Sequence, residues 1–190
     1  MLGLLRRFFV AGFRVKRKDF IVIKIRPYAV IDGVPNMRDS DIGALYEKMV
    51  SDGTASTVFY AGDVKSAQEF IALMKRSILI VAYDESPVGI GWLNCIENRT
   101  ARAHFCIFSQ AWGNSVEIGK QIVEYAINLK SDSGFLFDMF IGNTPAAYVS
   151  AIAWAQKCGA KYLGTLPHGS WIESIGKSCP TAVLYYVRGE

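Results

Sequence analysis

The chain has 190 residues, 51% of them hydrophobic and 20% charged, a composition that suits one globular domain with a sizeable core and excludes a disordered chain. Its net charge of +4 is gathered at the start, because residues 1–20 carry Arg6, Arg7, Arg14, Lys16, Arg17 and Lys18 against Asp19; the body is near neutral and lacks the basic surface of a nucleic-acid binder. Four cysteines with no C-x-x-C pair, and only two histidines, make no zinc site, and thiols in apolar runs (Cys95, Cys106) suit a reducing, cytoplasmic setting.

Residues 1–19 form a basic amphipathic extension, in which Leu2, Leu4, Leu5, Phe8, Phe9, Val10 and Phe13 interleave with the cations. Two readings stand: a helix lying on an anionic membrane surface, or an element packed on the core with its cations solvated. The second is preferred. The apolar stretch 8–13 is too short for a signal peptide, and no run approaches the ~20 apolar residues that span a bilayer.

From residue 20 to residue 190 the pattern is one α+β domain. Residues 20–26 are β-branched and strand-like, stopped by Pro27. Asp39 or Ser40 caps a helix whose apolar positions are Ile42, Leu45, Tyr46 and Met49, ended by Asp52-Gly53. Asp63 caps a second helix carrying Val64, Ala67, Phe70, Ile71 and Met74. Lys75 and Arg76 in its last turn suit the helix dipole. Residues 78–83, 87–96 and 100–109 are three closely spaced strands, hence an antiparallel meander. A helix over 116–129 carries the chain to a strand at 135–141, which lies parallel to its predecessor after the helical crossover. A helix over 146–158 and a final strand at 181–188 complete the order. That final strand, read as a sheet edge, leaves both a monomer and a homodimer open.

Between the third meander strand and the helix stands Gln110-Ala111-Trp112-Gly113-Asn114-Ser115. A helix beginning near Asn114 offers unpaired backbone N–H groups and a positive dipole end, which together bind a pyrophosphate. Gly113 would allow close approach and an unusual backbone angle. Asp138, inside an apolar run, calls for a hydrogen-bonding partner or a place in a cleft. No nucleophile elbow and no G-x-x-x-x-G-K-S/T motif is present, which argues against hydrolase and P-loop chemistry.

This order resembles the GCN5-related N-acetyltransferase (GNAT) superfamily over residues 20–190. Gln110, Gly113 and Ser115 fit its Q/R-x-x-G-x-G/A loop, with serine a departure at the last place. Trp112-Gly113 followed by Glu117 is similar to the branch that acetylates N-terminal amines. Ala151, Trp154, Lys157, Gly159 and Ala160 fall on the helix pattern N-x-x-A-x-x-L-Y-x-K-x-G-F. Residues Ile141-Gly142-Asn143-Thr144-Pro145 resemble a phage and prophage-encoded subgroup.

The resemblance implies a three-layer fold with a mixed, mainly antiparallel central sheet and helices on both faces. It implies acetyl-CoA, or another acyl-CoA, as co-substrate, with no metal. It also implies acyl transfer to a primary amine, either a small molecule or a protein or peptide amine. The fourth and fifth strands would splay apart around the thioester arm. The cofactor contacts it implies are Phe108, Gln110, Trp112, Gly113, Asn114, Ser115, Asn143 and Tyr148.

Ala155 stands where the family has a tyrosine that protonates the thiolate, and Tyr148 stands at the family asparagine. Tyr148 is the candidate replacement acid, its alternative being an aromatic surface residue on the first helical turn. His104 is the candidate base, since imidazole titrates near neutral pH; its alternative is a hydrogen-bonded structural histidine. Glu97 reads as a solvated turn carboxylate, and His168 as a loop residue able to border the acceptor cleft. The absent tyrosine leaves a rival, a weak or inactive binding protein that docks through the basic extension.

Overall fold

Alternation of burial along the meander decides which helices cover which face. A computed structural model describes residues 23–31, 34–132 and 134–189; the extension at 1–19 lies outside them, as does the start of the strand expected at 20–26. Seven strands form one sheet: β1 (Lys24–Pro27), β2 (Ile78–Tyr83), β3 (Pro87–Glu97), β4 (Thr100–Ile107), β5 (Met139–Pro145), β6 (Lys161–Ile172) and β7 (Lys177–Val187). Their spatial order is β1-β2-β3-β4-β5-β7-β6. Every neighbouring pair is antiparallel except β4 and β5, which run parallel, as a helical crossover requires.

Among the described residues the four longer helices that cover the sheet are α1 (Asp39–Ser51), α2 (Ala67–Lys75), α3 (Ser115–Ile127) and α4 (Val149–Lys157), with a single turn at Ala55–Val58 between the first two. Leu79, Val81, Ile90, Trp92 and Cys106 point to one face, where Ile42, Leu45 and Met49 of α1 and Phe70 and Met74 of α2 bury them. Ile80, Ala82, Leu93, Ala101 and Ala103 point to the other, against Ile118, Ile122 and Ala126 of α3. Ile152, Trp154 and Ala155 of α4 pack on that second face. Glycine at 119 permits the α3–α4 contact, because a Cβ there would come within 2.5 Å of the Trp154 ring and 2.6 Å of the Cys158 sulfur.

Several boundaries differ from the sequence reading. The cap of α2 is Ser66 and not Asp63; its hydroxyl accepts the Glu69 N–H at 3.2 Å. Arg38 precedes α1, and its N–H donates to the Asp41 carboxylate at 3.0 Å. The strand expected at 135–141 begins at Met139 and runs on through Gly142 and Asn143 to Pro145, while Phe135 belongs to a two-residue ribbon with Lys130. The segment read as a loop around His168 is the long strand β6. In consequence β7 is not an edge: it lies between β5 and β6, and the edges are β1 and β6. Cys106 is buried but Cys95 is exposed, at a bulge with φ 45°. Trp92 is 2% exposed, whereas Trp112 and Trp171 are half exposed. Among the described residues no helix is long and apolar enough to cross a membrane.

Candidate active site

The strands β4 and β5 pair only from Thr100 to Arg102 against Met139 to Ile141. Beyond that register they part, while their outer partners stay bonded: β3 follows β4 as far as Gly89 opposite Ile107, and β7 follows β5 as far as Thr181 opposite Pro145. The sheet therefore opens as a wedge, with unpaired backbone along 103–107 and 142–145. A cavity of about 360 Å³ fills it.

An ion-pair cluster closes the narrow end. Asp138 lies just before β5, its carboxylate bound by the guanidinium groups of Arg99 and Arg188. Its N–H donates to the Arg99 carbonyl at 2.8 Å, and its carbonyl accepts the Arg188 N–H at 3.0 Å. Hydrogen bonds from Arg99 and then Arg188 hold its carboxyl well below the usual carboxylate range. This corrects the placement of Asp138 inside the strand and supplies the partners its sequence context called for.

At the wide end, the Gln110–Ser115 segment is not an open loop. Residues Ser109–Asn114 wind as a 3₁₀ helix that runs directly into α3. The Ala111 N–H donates to the Phe108 carbonyl at 2.9 Å and the Ser115 N–H to that of Trp112, so fewer N–H groups are free than a helix starting at Asn114 would offer. Gly113 has no positive φ, contrary to the expected unusual angle. A Cβ at Gly113 would meet nothing within 4 Å, so the space beside it is open to a ligand.

Neighbouring side chains fix the segment. Gln110 Nε2 donates to the Pro87 carbonyl at 2.8 Å, and Trp112 Nε1 to the Ile107 carbonyl at 3.0 Å. Ser109 donates its N–H and its hydroxyl to Asp52 at 2.8 and 2.7 Å, and Lys48 completes the cluster. Burial would raise the Asp52 carboxyl, but hydrogen bonds from Lys48 and Ser109 outweigh it and hold the group below its ordinary value. Phe108 is fully buried, with the Lys48 ammonium 5.8 Å from its ring centre. Its side chain is core and only its backbone lies at the loop.

His104, Asn143 and Tyr148 line the same cavity. His104 points to the α1–α2 face and stacks on Trp92, with ring centres 4.9 Å apart and planes 7° off parallel. Its Nε2 lies 3.0 Å from Asn94 Oδ1. Burial, then the nearby Arg102, pushes the imidazole down to about 4, so it is neutral at pH 7. Tyr148 precedes α4, and its ring meets that of Tyr60 edge-on at 6.1 Å.

Ala155 lines the cavity as well, and its carbonyl accepts the Tyr186 hydroxyl at 3.3 Å. Glu97 is exposed and lines no part of the cavity; His168 is exposed in the irregular stretch of β6 between Leu166 and Ser170, where Gly169 and not His168 borders the cavity. The sequence reading passed over Arg102, Asn94, Trp92, Phe59, Tyr60 and Tyr186, all cavity-lining. Strand parity held the signal for the first three: Arg102 shares the His104 face, and the meander register sets Trp92 opposite His104 and Asn94 opposite Arg102. Phe59 and Tyr60 come from the connection after α1, which has no periodicity to read.

No family model matches the chain, and no curated protein matches it in sequence. Solved structures do match. A GNAT-family acetyltransferase from Streptococcus pneumoniae aligns with a TM-score of 0.60 at 18% identity, over 87% of this chain and 99% of that one. The spermidine N-acetyltransferase of Vibrio cholerae, bound to CoA and spermine, gives 0.66 at 13% identity over 87% and 95%. A ribosomal α-N-protein acetyltransferase in complex with coenzyme A gives 0.63 at 12% identity over 87% and 93%. The chain has the GNAT fold, with its mixed, mainly antiparallel seven-stranded sheet between helical layers.

Proposed function

We propose that the chain is an acyl-CoA-dependent N-acyltransferase, moving an acetyl group from acetyl-CoA to a primary amine within one ternary complex. The wedge between β4 and β5 carries the proposal. Its two unpaired backbone edges accept an extended thioester arm by main-chain pairing, with no demand on side-chain identity. Two features of the chain fit that occupant: the open space beside Gly113 at the wide end and the Ser109–Asn114 turn leading into α3. Gln110, Trp112, Gly113, Asn114 and Ser115 would hold the pyrophosphate end, and Asn143 the arm.

Acetyl-CoA supplies an activated thioester carbonyl. As the C–N bond forms and the C–S bond breaks, Tyr148 gives its phenolic proton to the departing sulfur and recovers one from solvent. The amine proton leaves to water or to His104. A histidine pushed down to about 4 is a weak base, so the amine must arrive uncharged, and positioning supplies most of the acceleration. Ala155, at the place of the family tyrosine, favours a second reading: cofactor binding without transfer, with the basic residues 1–19 as a docking element.

Thermal unfolding with acetyl-CoA, followed by measurement of CoA release on adding amines, tests both readings. At a concentration about 100 times Kd, acetyl-CoA should raise Tm by about 5–10 °C. CoA release with an amine supports the enzyme; a shift without release from any amine supports the second reading. No shift at millimolar acetyl-CoA overturns both.

A further inference from the structure

The acceptor wall of the cavity is rich in hydrogen-bond donors and poor in acids. Its charged lining residues are Arg102 and Asp63. Asp63 is exposed on the connection before α2. Arg102 stands at the last β4–β5 pair before the wedge opens, opposite Ile141 on one side and Asn94 on the other. It shares the His104 side of the strand, and its charge helps to keep that imidazole neutral. No carboxylate pairs with it among the described residues, as none pairs with Arg26 or Arg76, while Arg38, Arg99 and Arg188 each have one.

A further donor stands opposite Arg102 in the β3–β4 register. Asn94 spends its carbonyl on His104, while its amide nitrogen bonds to no described residue. Around these groups the walls are aromatic: Phe59, Tyr60, Trp92 and Tyr148. A polyamine needs carboxylates along its length. Here a polyamine would find one carboxylate, Asp63, and a guanidinium, Arg102, that repels its ammonium groups. A donor-rich wall with one unpaired cation complements oxygen atoms and negative charge.

Resting on the acyltransferase reading above, we propose that the acceptor is a small primary amine carrying a carboxylate on an aromatic or apolar body, and that Arg102 binds that carboxylate. The amine then reaches the thioester within the wedge, and the aromatic walls hold the body.

Steady-state acetyl transfer to L-phenylalanine, phenethylamine and spermidine tests this, with wild type, Arg102→Gln and Arg102→Lys. Phenethylamine is L-phenylalanine without its carboxylate. Wild type should prefer L-phenylalanine over phenethylamine by about 10- to 100-fold in kcat/KM. Arg102→Gln should bring L-phenylalanine down to the phenethylamine level through the KM of the amine, with the KM of acetyl-CoA unmoved. Arg102→Lys should keep part of the preference. Arg102 is exposed, so both variants should melt as wild type does.

Equal or better turnover of phenethylamine or spermidine overturns the proposal, as does turnover of no amine at all. An Arg102→Gln effect on the KM of acetyl-CoA also overturns it, since the guanidinium would then be serving the acyl donor. The Tm shift with acetyl-CoA separates the two failures: present, it leaves the cofactor site standing while this proposal falls; absent, it removes both.

Discussion

Tyr148→Phe should lower the rate of acetyl transfer by about 100-fold, the lower end of what one proton donor contributes, and leave the Tm shift with acetyl-CoA unchanged. Phenylalanine keeps the ring and its edge contact with Tyr60, which lies 6.1 Å away; the substitution therefore removes the hydroxyl and little else. The cavity holds two other phenols, Tyr60, for which Tyr60→Phe is the control, and Tyr186. Tyr186 is a poor substitute, because burial pushes its ionisation upward and its hydroxyl already donates to the Ala155 carbonyl. Single-turnover rates for both proteins, with acetyl-CoA saturating, check the expectation. An unchanged rate removes Tyr148 as the acid and favours transfer in which the thiolate leaves without a protein donor.

The second large effect concerns stability. His104 has an ordinary value of 6.5 and is pushed down to about 4 in the folded chain, by burial first and Arg102 second. Between those values the unfolded chain binds the proton that the folded chain refuses, so stability rises with pH across this window. The contribution is full above about 6.5 and is lost as the pH falls towards 4. A shift of this size corresponds to about 3 kcal/mol at most. Asp52 and Asp138 act in the same direction at lower pH, since their depressed carboxyls favour the folded state above the ordinary carboxylate range and lose that effect in acid. Urea unfolding of wild type and His104→Gln at pH 7.5 and pH 4.5 separates the contributions. Wild type should lose more stability than the variant by about 2–3 kcal/mol between the two pH values. Equal losses would mean that His104 titrates alike in the folded and unfolded chains.

The part of the molecule nearest the proposed chemistry was the most legible in sequence. The apolar runs of β2 and β3 and the tight turns that bound β3 and β4 announce a meander, and a single helical crossover then forces the parallel pair that the wedge needs. Tyr148 and Asn143, which the resemblance implied, and His104, named for its imidazole, meet in one cavity. What was lost was lost for physical reasons. Strand β6 contains Gly164, Pro167 and Gly169, which read as punctuation. It is a strand because an edge needs pairing on one side only, and its register slips between Leu166 and Ser170 around the proline. Without β6, β7 looked like an edge. Gly142 to Pro145 likewise have turn chemistry, yet β7 holds them extended through the Thr181 to Gly142-facing register. Asp138 looked like an intruder in an apolar strand because both its partners are distant in sequence, Arg99 by 39 residues and Arg188 by 50.

The Arg99–Asp138–Arg188 cluster also shows how the fold sets the wedge. It anchors β4, β5 and the end of β7 at one point, just before the three paired residues of the parallel register. From there β4 is drawn to β3 and β5 to β7, and nothing in the sheet draws β4 and β5 together again. The opening follows from where the pairing stops, and no side chain is needed to prop it open.

Backbone hydrogen exchange with and without acetyl-CoA tests most directly whether that opening is the acyl slot. Slower exchange confined to amides within 103–107 and 142–145 and the turn at 109–115, with the β1–β2 and β6–β7 pairs unaffected, is the result expected. Unchanged exchange along both edges of the wedge at saturating acetyl-CoA would contradict it.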